Sequence, residues 1–261
     1  MLFHISAFQL DKDSNVSSPW HSLTARSRVI CALLFVFATA LTPNGHFRTW
    51  AVYAGGLLAL ISISHLTLSV LIRRVAVEFT FISVVLLGTL FNGAGQTLWS
   101  WGWFKITDTG LIVLGSVFTK AFLSLLMLNL LVLTTPATML LNALADLKMP
   151  PLLVAILHSM YHYLTVLIDE FNAMRRAALS RNLTSRRNWH RLVIGNMIGS
   201  LFIRTYERGD RIHQAMLARG YNGIPPVQKQ NPETRRDYLG IGLTSTLVIV
   251  GQLIHWRYNA P

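Results

Sequence analysis

Long runs of apolar residues constrain the fold of this chain more than any other feature of its sequence. The clearest run covers residues 111–133 and is interrupted only by Lys120 and Asn129. A helix needs about 20 mostly apolar residues to cross the hydrocarbon core of a bilayer. Further runs lie at residues 29–42, 49–64 with 66–71, 75–91 and 238–256, and a weaker one at 150–168. The run at 29–42 ends at Pro43-Asn44-Gly45, which predicts a turn. The runs predict an all-α fold, a polytopic membrane helix bundle with about five spans, within a range of roughly four to six.

The composition excludes most other classes of protein. Of the 261 residues, 52% are hydrophobic and 13% are charged, whereas a soluble domain carries about 25% charged residues. A soluble protein with so little surface charge would associate with itself. The single cysteine, Cys31, lies in an apolar run and excludes a disulfide scaffold. The apolar content also excludes a disordered chain.

The positive charge is concentrated in one set of loops. The formal net charge of +12 fits either nucleic-acid binding or the positive-inside bias of membrane proteins. With the N-terminus inside, 19 of the 23 Lys and Arg residues fall on the cytoplasmic side, 14 of them in residues 134–237. This distribution predicts a multi-pass protein of the cell (inner) membrane whose long basic segment is cytoplasmic, and it accounts for the charge without nucleic acid.

The same pattern predicts three regions along the chain. N-terminal transmembrane helices occupy residues 1–133, a mostly cytoplasmic region occupies 134–237, and a C-terminal transmembrane helix occupies 238–261. The middle region contains an apolar stripe at helical spacing, which predicts a helix lying on the protein or membrane surface or presenting its end to another protein. The stripe consists of Leu164, Leu167, Ile168, Phe171, Met174 and Ala178.

A short pattern at the end of this helix recurs 38 residues later. Residues 177–182 read AALSRN and residues 215–220 read AMLARG, so both copies share Ala, any residue, Leu, a small residue, Arg, and then Asn or Gly. Ala and Leu favour a helix, and Asn or Gly suits the left-handed residue that ends one. Both copies therefore predict a helix that ends in a presented arginine. The candidate partner-binding residues are Ala177, Ser180, Arg181, Asn182, Ala215, Ala218, Arg219 and Gly220.

The helix predicted near residues 203–219 is more polar than the first. Arg204, Arg208 and Arg211 recur at i, i+4 and i+7, and Glu207 precedes Arg211 by four residues, which favours an ion pair. Such a row is either a solvated charged face or a face that docks on another protein.

The second copy of the pattern carries a family resemblance. Residues 204–223, RTYERGDRIHQAMLARGYNG, resemble the second coupling helix of the transmembrane T component of energy-coupling factor (ECF) transporters, most closely the CbiQ type that serves cobalt uptake. Residues 134–151 resemble the family's stretch ahead of the first coupling helix, and residues 18–23 resemble its N-terminal lead-in. The first copy departs from the family pattern, because Ser180-Arg181-Asn182 stands where Ala-Arg-Gly or Ala-Arg-Ser is usual.

The resemblance implies a coupling subunit of an ECF-type ABC importer for cobalt, with nickel as the alternative cation and a vitamin as a further alternative substrate. Its implied partners are two cytoplasmic ATP-binding cassette ATPases and a separate substrate-specific membrane subunit. The two coupling helices would sit in grooves on the ATPases, with Arg181 and Arg219 anchoring those contacts. The resemblance implies no cofactor.

Motifs for catalysis are not found in the sequence. It holds no Gly-x4-Gly-Lys-Ser/Thr phosphate loop, no His-Glu-x-x-His and no Gly-x-Ser-x-Gly, so we predict no catalytic residues and no enzyme. His158 and His162 share a helix face, but two histidines without a nearby carboxylate or cysteine make a poor metal site. Glu78 and Lys120 lie within apolar runs and could pair.

Two alternatives use the same residues differently. A membrane-embedded enzyme acting on a lipid or isoprenoid would need paired acidic groups, and Asp169-Glu170 is the only adjacent acidic pair in the sequence. A membrane scaffold protein would use the basic helices to bind anionic lipid.

Overall fold

The computed structural model describes residues 18, 20–64, 68–90, 97–101, 104–182, 187–222 and 234–259. The described chain is almost entirely helical. Its helices are α1 (Ala25–Leu41), α2 (Phe47–Ser64), α3 (Leu68–Leu90), α4 (Asp108–Thr134), α5 (Ala137–Asp146), α6 (Pro151–Ser180), α7 (Arg187–Ala218) and α8 (Arg235–Asn259), and its strands are β1 (Thr97–Trp101) and β2 (Phe104–Thr107).

The chain divides into two compact units. Unit 1 comprises residues 1–143 and 230–261, and unit 2 comprises residues 144–229. In unit 1, α4 packs against α1, α2 and α3, and α8 packs against α1 and α2. In unit 2, α6 packs against α7. The predicted class, a helical membrane bundle, is confirmed; the antiparallel β1–β2 hairpin between α3 and α4 was not predicted.

Three of the described helices are long and apolar enough to cross a membrane: α2, α4 and α6. The weakest predicted run, 150–168, is therefore the first part of one continuous helix of 30 residues. The described parts of the predicted runs 66–71 and 75–91, which are residues 68–71 and 75–90, belong to one helix, α3; residues 66, 67 and 91 lie outside the described residues. Two other predicted spans are less suited to crossing a membrane by length and composition. Helix α1 is shorter, with 17 residues, and α3 carries three charged residues, Arg73, Arg74 and Glu78.

Aromatic side chains form the centre of unit 1. Trp50 and Tyr53 of α2 and Phe35 of α1 are fully buried, and the rings of Phe35 and Tyr53 meet edge to face with centroids 5.9 Å apart. The turn predicted after α1 is also confirmed. Residues 44 and 45 form a turn, and Gly45 has φ +92°, a value that glycine adopts without steric cost.

Two glycines let α2 and α8 approach closely. A Cβ at Gly56 of α2 would overlap Leu247 of α8, and a Cβ at Gly251 of α8 would lie 2.5–2.7 Å from the ring and hydroxyl atoms of Tyr53 in α2. Each glycine therefore receives a large side chain of the opposite helix. Small residues serve helix packing in membranes in the same way, because they let the two backbones come together.

Substituting these two glycines should separate α2 from α8. We expect Gly56→Ala and Gly251→Ala each to destabilise the bundle by about 1–3 kcal/mol, the usual cost of overpacking. The matched controls are Gly55→Ala and Gly242→Ala, which introduce the same methyl group on the same helices where nothing lies within 4 Å. Thermal unfolding in detergent measures the difference, and equal midpoints for test and control variants would refute the close packing.

Candidate partner-docking site

The C-terminus of α6 is closed by backbone hydrogen bonds. The N–H of Arg181 donates to Ala177 O at 3.3 Å, and the N–H of Asn182 donates to Leu179 O at 2.9 Å. Asn182 has φ +54°, a left-handed conformation that Asn tolerates better than most residues. Ser180 adds a hydrogen bond from its hydroxyl to Ala177 O at 2.9 Å. Asn182 therefore fills the position in which the family pattern has Gly or Ser.

The C-terminus of α7 closes in the same way. The N–H of Gly220 donates to Leu217 O at 2.9 Å, and the N–H of Tyr221 donates to Met216 O at 3.0 Å. These two bonds, with Gly220 at φ +81°, form a Schellman motif. Both copies of the repeated pattern thus end a helix at the arginine and place a left-handed residue after it, as the sequence predicts.

The arginine at each helix end is exposed. Arg181, Asn182, Arg219 and Gly220 are all exposed, as are the other predicted binding residues Ala177, Ser180, Ala215 and Ala218. Apolar side chains beside each arginine are exposed as well. Leu179 is 51% exposed beside Arg181, and Leu217 is 52% exposed near Arg219. Each tip therefore exposes an arginine, a residue type that is enriched among the anchors of protein interfaces, near an exposed leucine.

A shared carboxylate joins α6 to α7. Glu170 of α6 lies 3.5 Å from Arg204 and 3.6 Å from Arg208 of α7. The side chain of Glu170 is 19% exposed. Arg211 pairs with Glu207 at 3.8 Å, as predicted from their spacing. The hypothesis that Arg204, Arg208 and Arg211 form a docking row therefore needs revision, because two of the three arginines engage Glu170 within unit 2.

The ion pairs of Glu170 with Arg204 and Arg208 form a joint between α6 and α7, the Glu170 joint. This joint lies between the two arginine tips, which are the helix ends at Arg181 and Arg219. Arg181 lies 11 residues beyond Glu170, which is about 16 Å along α6, and Arg219 lies 11 residues beyond Arg208, again about 16 Å. Six residue steps separate Arg181 from Arg187, the start of α7, and they span at most about 20 Å. Because α7 begins near Arg181 and passes the joint before it reaches Arg219, the two tips lie on opposite sides of the joint, about 30 Å apart.

Neutralising Glu170 should loosen this helix pair. We expect Glu170→Gln to weaken the association of α6 with α7 by on the order of 1 kcal/mol, since two partly exposed ion pairs are lost together. The control is Glu207→Gln, which removes one exposed pair within a single helix and should cost about 0.3–0.5 kcal/mol. Hydrogen exchange of the α6 and α7 amides reports the change. Equal exchange rates in Glu170→Gln and Glu207→Gln would show that Glu170 does not hold the two helices together.

One side of α7 exposes large apolar residues. They are Leu192, Ile198, Phe202, Ile203 and Tyr206, with exposures of 61%, 54%, 71%, 60% and 74%. The predicted stripe of α6 is better covered, since its exposure falls from 41% at Leu164 to 7% at Ala178. Exposed apolar surface of this extent is typical of a site that contacts another protein or a membrane.

A buried arginine ties together the polar ends of unit 1. Arg28, 4% exposed, donates to Thr134 O at 2.6 Å, His21 O at 2.6 Å, Leu23 O at 3.1 Å and Thr135 Oγ1 at 3.3 Å. It thus joins the residues before α1 to the end of α4. From its position in the sequence, Arg28 is predicted only to be one of the cytoplasmic cations. The polar pair Thr134-Thr135, directly after an apolar run, was the sequence feature that could have indicated its buried partners.

Asp237 in the first turn of α8 completes this cluster. It is 1% exposed, and its carboxylate accepts the N–H of Thr24 and the N–H of Thr234, both at 2.7 Å. Burial alone would raise the pKa of Asp237, but these N–H groups and the hydroxyls of Thr24 and Ser27 outweigh it, and the pKa is held below its usual value.

The lowered pKa of Asp237 makes the stability of unit 1 depend on pH. Its contribution is complete above the unfolded-state pKa of about 3.9 and is lost as the pH falls through the lower folded-state pKa. Asp237→Asn should therefore unfold at a lower temperature than wild type at pH 7, and the difference between the two unfolding temperatures should become smaller below about pH 4. Thermal unfolding across that range measures this difference. A difference that stays constant would contradict a lowered pKa of Asp237.

The remaining polar residues of the apolar runs have separate partners. Asn129 donates to Glu78 Oε2 at 2.7 Å, and Lys120 donates to Asn44 Oδ1 at 2.9 Å. Glu78 and Lys120 therefore bind different residues in these contacts rather than each other, as had been suggested. His158 and His162 are exposed. Within the described ranges, no three His, Cys, Asp or Glu side chains are grouped to hold a metal ion.

Sequence similarity links the chain to membrane transport proteins. The profile of the CbiQ family, described as a cobalt transport protein, matches residues 16–231. The energy-coupling factor transporter transmembrane protein EcfT of Lacticaseibacillus paracasei is 26% identical over 252 residues, which are 91% of this chain and 94% of that protein. The EcfT protein of Bacillus subtilis is 28% identical over 220 residues, 78% of this chain and 80% of its own. The matched range of the family profile includes both arginine-ended helices.

Proposed function

Because the chain belongs to the CbiQ family of cobalt transport proteins, we propose that it is the transmembrane coupling subunit of an ECF-type ABC importer for cobalt, with nickel as the alternative cation. In this role it transmits ATP-driven motion from cytoplasmic ATPases to a substrate-binding membrane subunit. The observation that carries the proposal is the pair of helix ends in unit 2, each closed by a left-handed residue behind an exposed arginine.

The geometry of unit 2 supports two separate ATPase contacts. The tips at Arg181 and Arg219 are about 30 Å apart by residue count, which is too far for one small pocket to receive both. The Glu170 joint lies between them, so a displacement of one tip is transmitted through α6 and α7 to the other tip. A pair of ATPases that close on ATP would therefore move α6 and α7 together.

The orientation of the chain follows from the charge distribution. We propose that the basic segment 134–237, with 14 Lys and Arg residues, faces the cytoplasm, where ATPase subunits are found. In this proposal α6 lies on the cytoplasmic side, although it is long and apolar enough to cross a membrane. Binding residues at Arg181 and Arg219 then lie on the side where ATP is hydrolysed. The apolar side of α7 is available for the substrate-binding subunit or for the bilayer.

The two alternatives receive less support. An enzyme of lipids or isoprenoids would bring paired carboxylates together, but Glu170 binds Arg204 and Arg208 and its neighbour Asp169 is exposed. A scaffold that binds anionic lipid would leave its arginines for phosphate groups, whereas two of the α7 arginines face Glu170. Membership of a transporter family also favours the coupling role over both.

Uptake in a reconstituted system tests this function. Cells lacking their own cobalt and nickel importers would express the chain with its ATPases and substrate-binding subunit, and radioactive cobalt and nickel would be measured separately. We expect cobalt to accumulate only when all subunits are present. Accumulation of nickel alone would replace cobalt by the alternative cation, and cobalt uptake that persists without this chain would refute the coupling role.

A further inference from the structure

A cavity of about 930 Å³ lies in unit 1 between α1, α2, α8 and the residues that precede α1. This volume is in the range of sites that hold small ligands. A water molecule occupies about 30 Å³, and a methylene group has a similar size. The cavity therefore holds on the order of 30 methylene groups. The chains of one diacyl lipid therefore fit the space.

Most of the polar residues that line the cavity lie just before α1 or at the start of α8. Among the described residues Arg236 is the one charged residue in the lining, Ser18, His21 and Ser22 line it as well, and Thr244 lies farther along α8. The N–H of Thr24 binds the carboxylate of Asp237, next to Arg236, at 2.7 Å, so the segment before α1 meets the start of α8. A basic group among neutral polar groups attracts an anion such as a phosphate ester.

The rest of the lining is apolar apart from Thr244 and has the length of one leaflet. It continues along α8 from Arg236 through Leu239 and Leu243 to Leu247. The 11 residues from Arg236 to Leu247 cover about 16 Å, close to half of the roughly 30 Å hydrocarbon core of a bilayer. Leu239 and Leu243 are 67% and 71% exposed, so the apolar part opens sideways, toward the hydrocarbon.

One hydrogen-bonding atom at the polar end has no partner among the described residues. His21 Nε2 is buried and unbonded, while His21 Nδ1 lies 2.6 Å from Ser18 Oγ. Ser18 Oγ also accepts the N–H of His21 at 3.4 Å. In the tautomer that carries the ring proton on Nε2, this atom is a donor without a partner beside the cavity, although its own surface is closed to the cavity.

We propose that this cavity binds one anionic phospholipid, with its phosphate at Arg236 and its acyl chains along α8. Such a lipid would fill the gap between α2 and α8 beyond their close contact at Gly56. It would also bind beside the Arg28–Asp237 cluster, so its release would leave an open space next to the residues that hold the bundle together.

Native mass spectrometry of the full chain, purified in mild detergent, tests the proposal with added phosphatidylglycerol and phosphatidylcholine. We expect one phosphatidylglycerol to be retained about tenfold better than phosphatidylcholine. Arg236→Gln should abolish this preference, whereas the control Arg235→Gln, an exposed neighbour that does not line the cavity, should keep it. Ala59→Trp, which fills the apolar part, should remove both lipids. Equal retention in wild type, Arg236→Gln and Ala59→Trp would overturn the proposal.

A photoreactive amino acid in place of Leu60, which lines the cavity, identifies the occupant in cells. A phospholipid adduct is the expected product. A cross-link to this chain's own residues 1–17, or to another protein subunit, would show a different occupant and would also overturn the proposal.

Discussion

Arg28→Leu is expected to leave little folded protein in the membrane. The substitution removes four hydrogen bonds, among them those to the partly buried carbonyl groups of His21 and Leu23 and to the buried carbonyl group of Thr134. It also leaves the buried carboxylate of Asp237 without the cation whose charge it faces. Removing one member of a buried charged network typically costs about 3–5 kcal/mol, which is a large part of the stability of most proteins.

The control for this prediction is Arg73→Leu. Arg73 in α3 is exposed, and an exposed substitution usually changes stability by less than about 0.5 kcal/mol. The double variant Arg28→Leu with Asp237→Asn should be less unstable than the sum of the single variants, because each single change leaves the other charge buried. Thermal unfolding and the amount of protein in the membrane measure the effect. Wild-type stability of Arg28→Leu would show that the cluster does not hold the bundle.

The double variant Arg181→Ala with Arg219→Ala is expected to abolish uptake while the protein remains folded. Each arginine should form charge-assisted hydrogen bonds to an ATPase worth about 1.5–3 kcal/mol, so losing both should weaken the complex by about two to four orders of magnitude. The helix ends are closed by backbone groups and by Asn182 and Gly220 rather than by the arginine side chains. The amount of protein in the membrane should therefore stay the same.

A matched control separates this effect from a change in net charge. Arg176→Ala with Arg211→Ala removes the same two charges from exposed positions of α6 and α7, but away from the tips. We expect this variant to keep the ATPases and most of the uptake. Single Arg181→Ala and Arg219→Ala variants should each give a partial loss. Full uptake in the Arg181–Arg219 double variant would refute the assignment of the two tips.

Local patterns in the sequence predicted local structure well. The helix ends at Arg181 and Arg219 were predicted because the residues that permit a left-handed conformation, Asn182 and Gly220, are adjacent in the chain. The turn at residues 43–45 and the Glu207–Arg211 pair were predicted for the same reason, since each depends on neighbours within four residues.

Contacts between distant segments were not predictable from the sequence. Arg204 and Arg208 are identical in pattern to a solvated row, and only the packing of α7 on α6 brings them to Glu170. Arg28 carries no local signal that separates a buried cation from a cytoplasmic anchor, because two of its four partners, Thr134 O and Thr135 Oγ1, lie more than 100 residues away. Periodicity reports one helix face at a time, so it cannot name the group that faces it.

The span count shows the same limit at the level of whole helices. Apolar runs separated 66–71 from 75–91 because Arg73 and Arg74 interrupt them, whereas the backbone continues as one helix, α3. The stripe near residues 164–178 and the run at 150–168 are likewise one helix, α6. Hydropathy reports where apolar side chains lie, and a helix continues through charged residues when neither Pro nor Gly interrupts it.

Site-specific cross-linking at the two tips tests the coupling role most directly. A photoreactive amino acid would replace Leu179 or Leu217, the exposed leucines near Arg181 and Arg219, in the full transporter complex in membranes. The control position is Leu111, exposed in the first turns of α4 in unit 1. We predict ATPase adducts from both tip positions and none from Leu111. Tip positions that yield no ATPase adduct, while the complex still transports cobalt, would contradict the account.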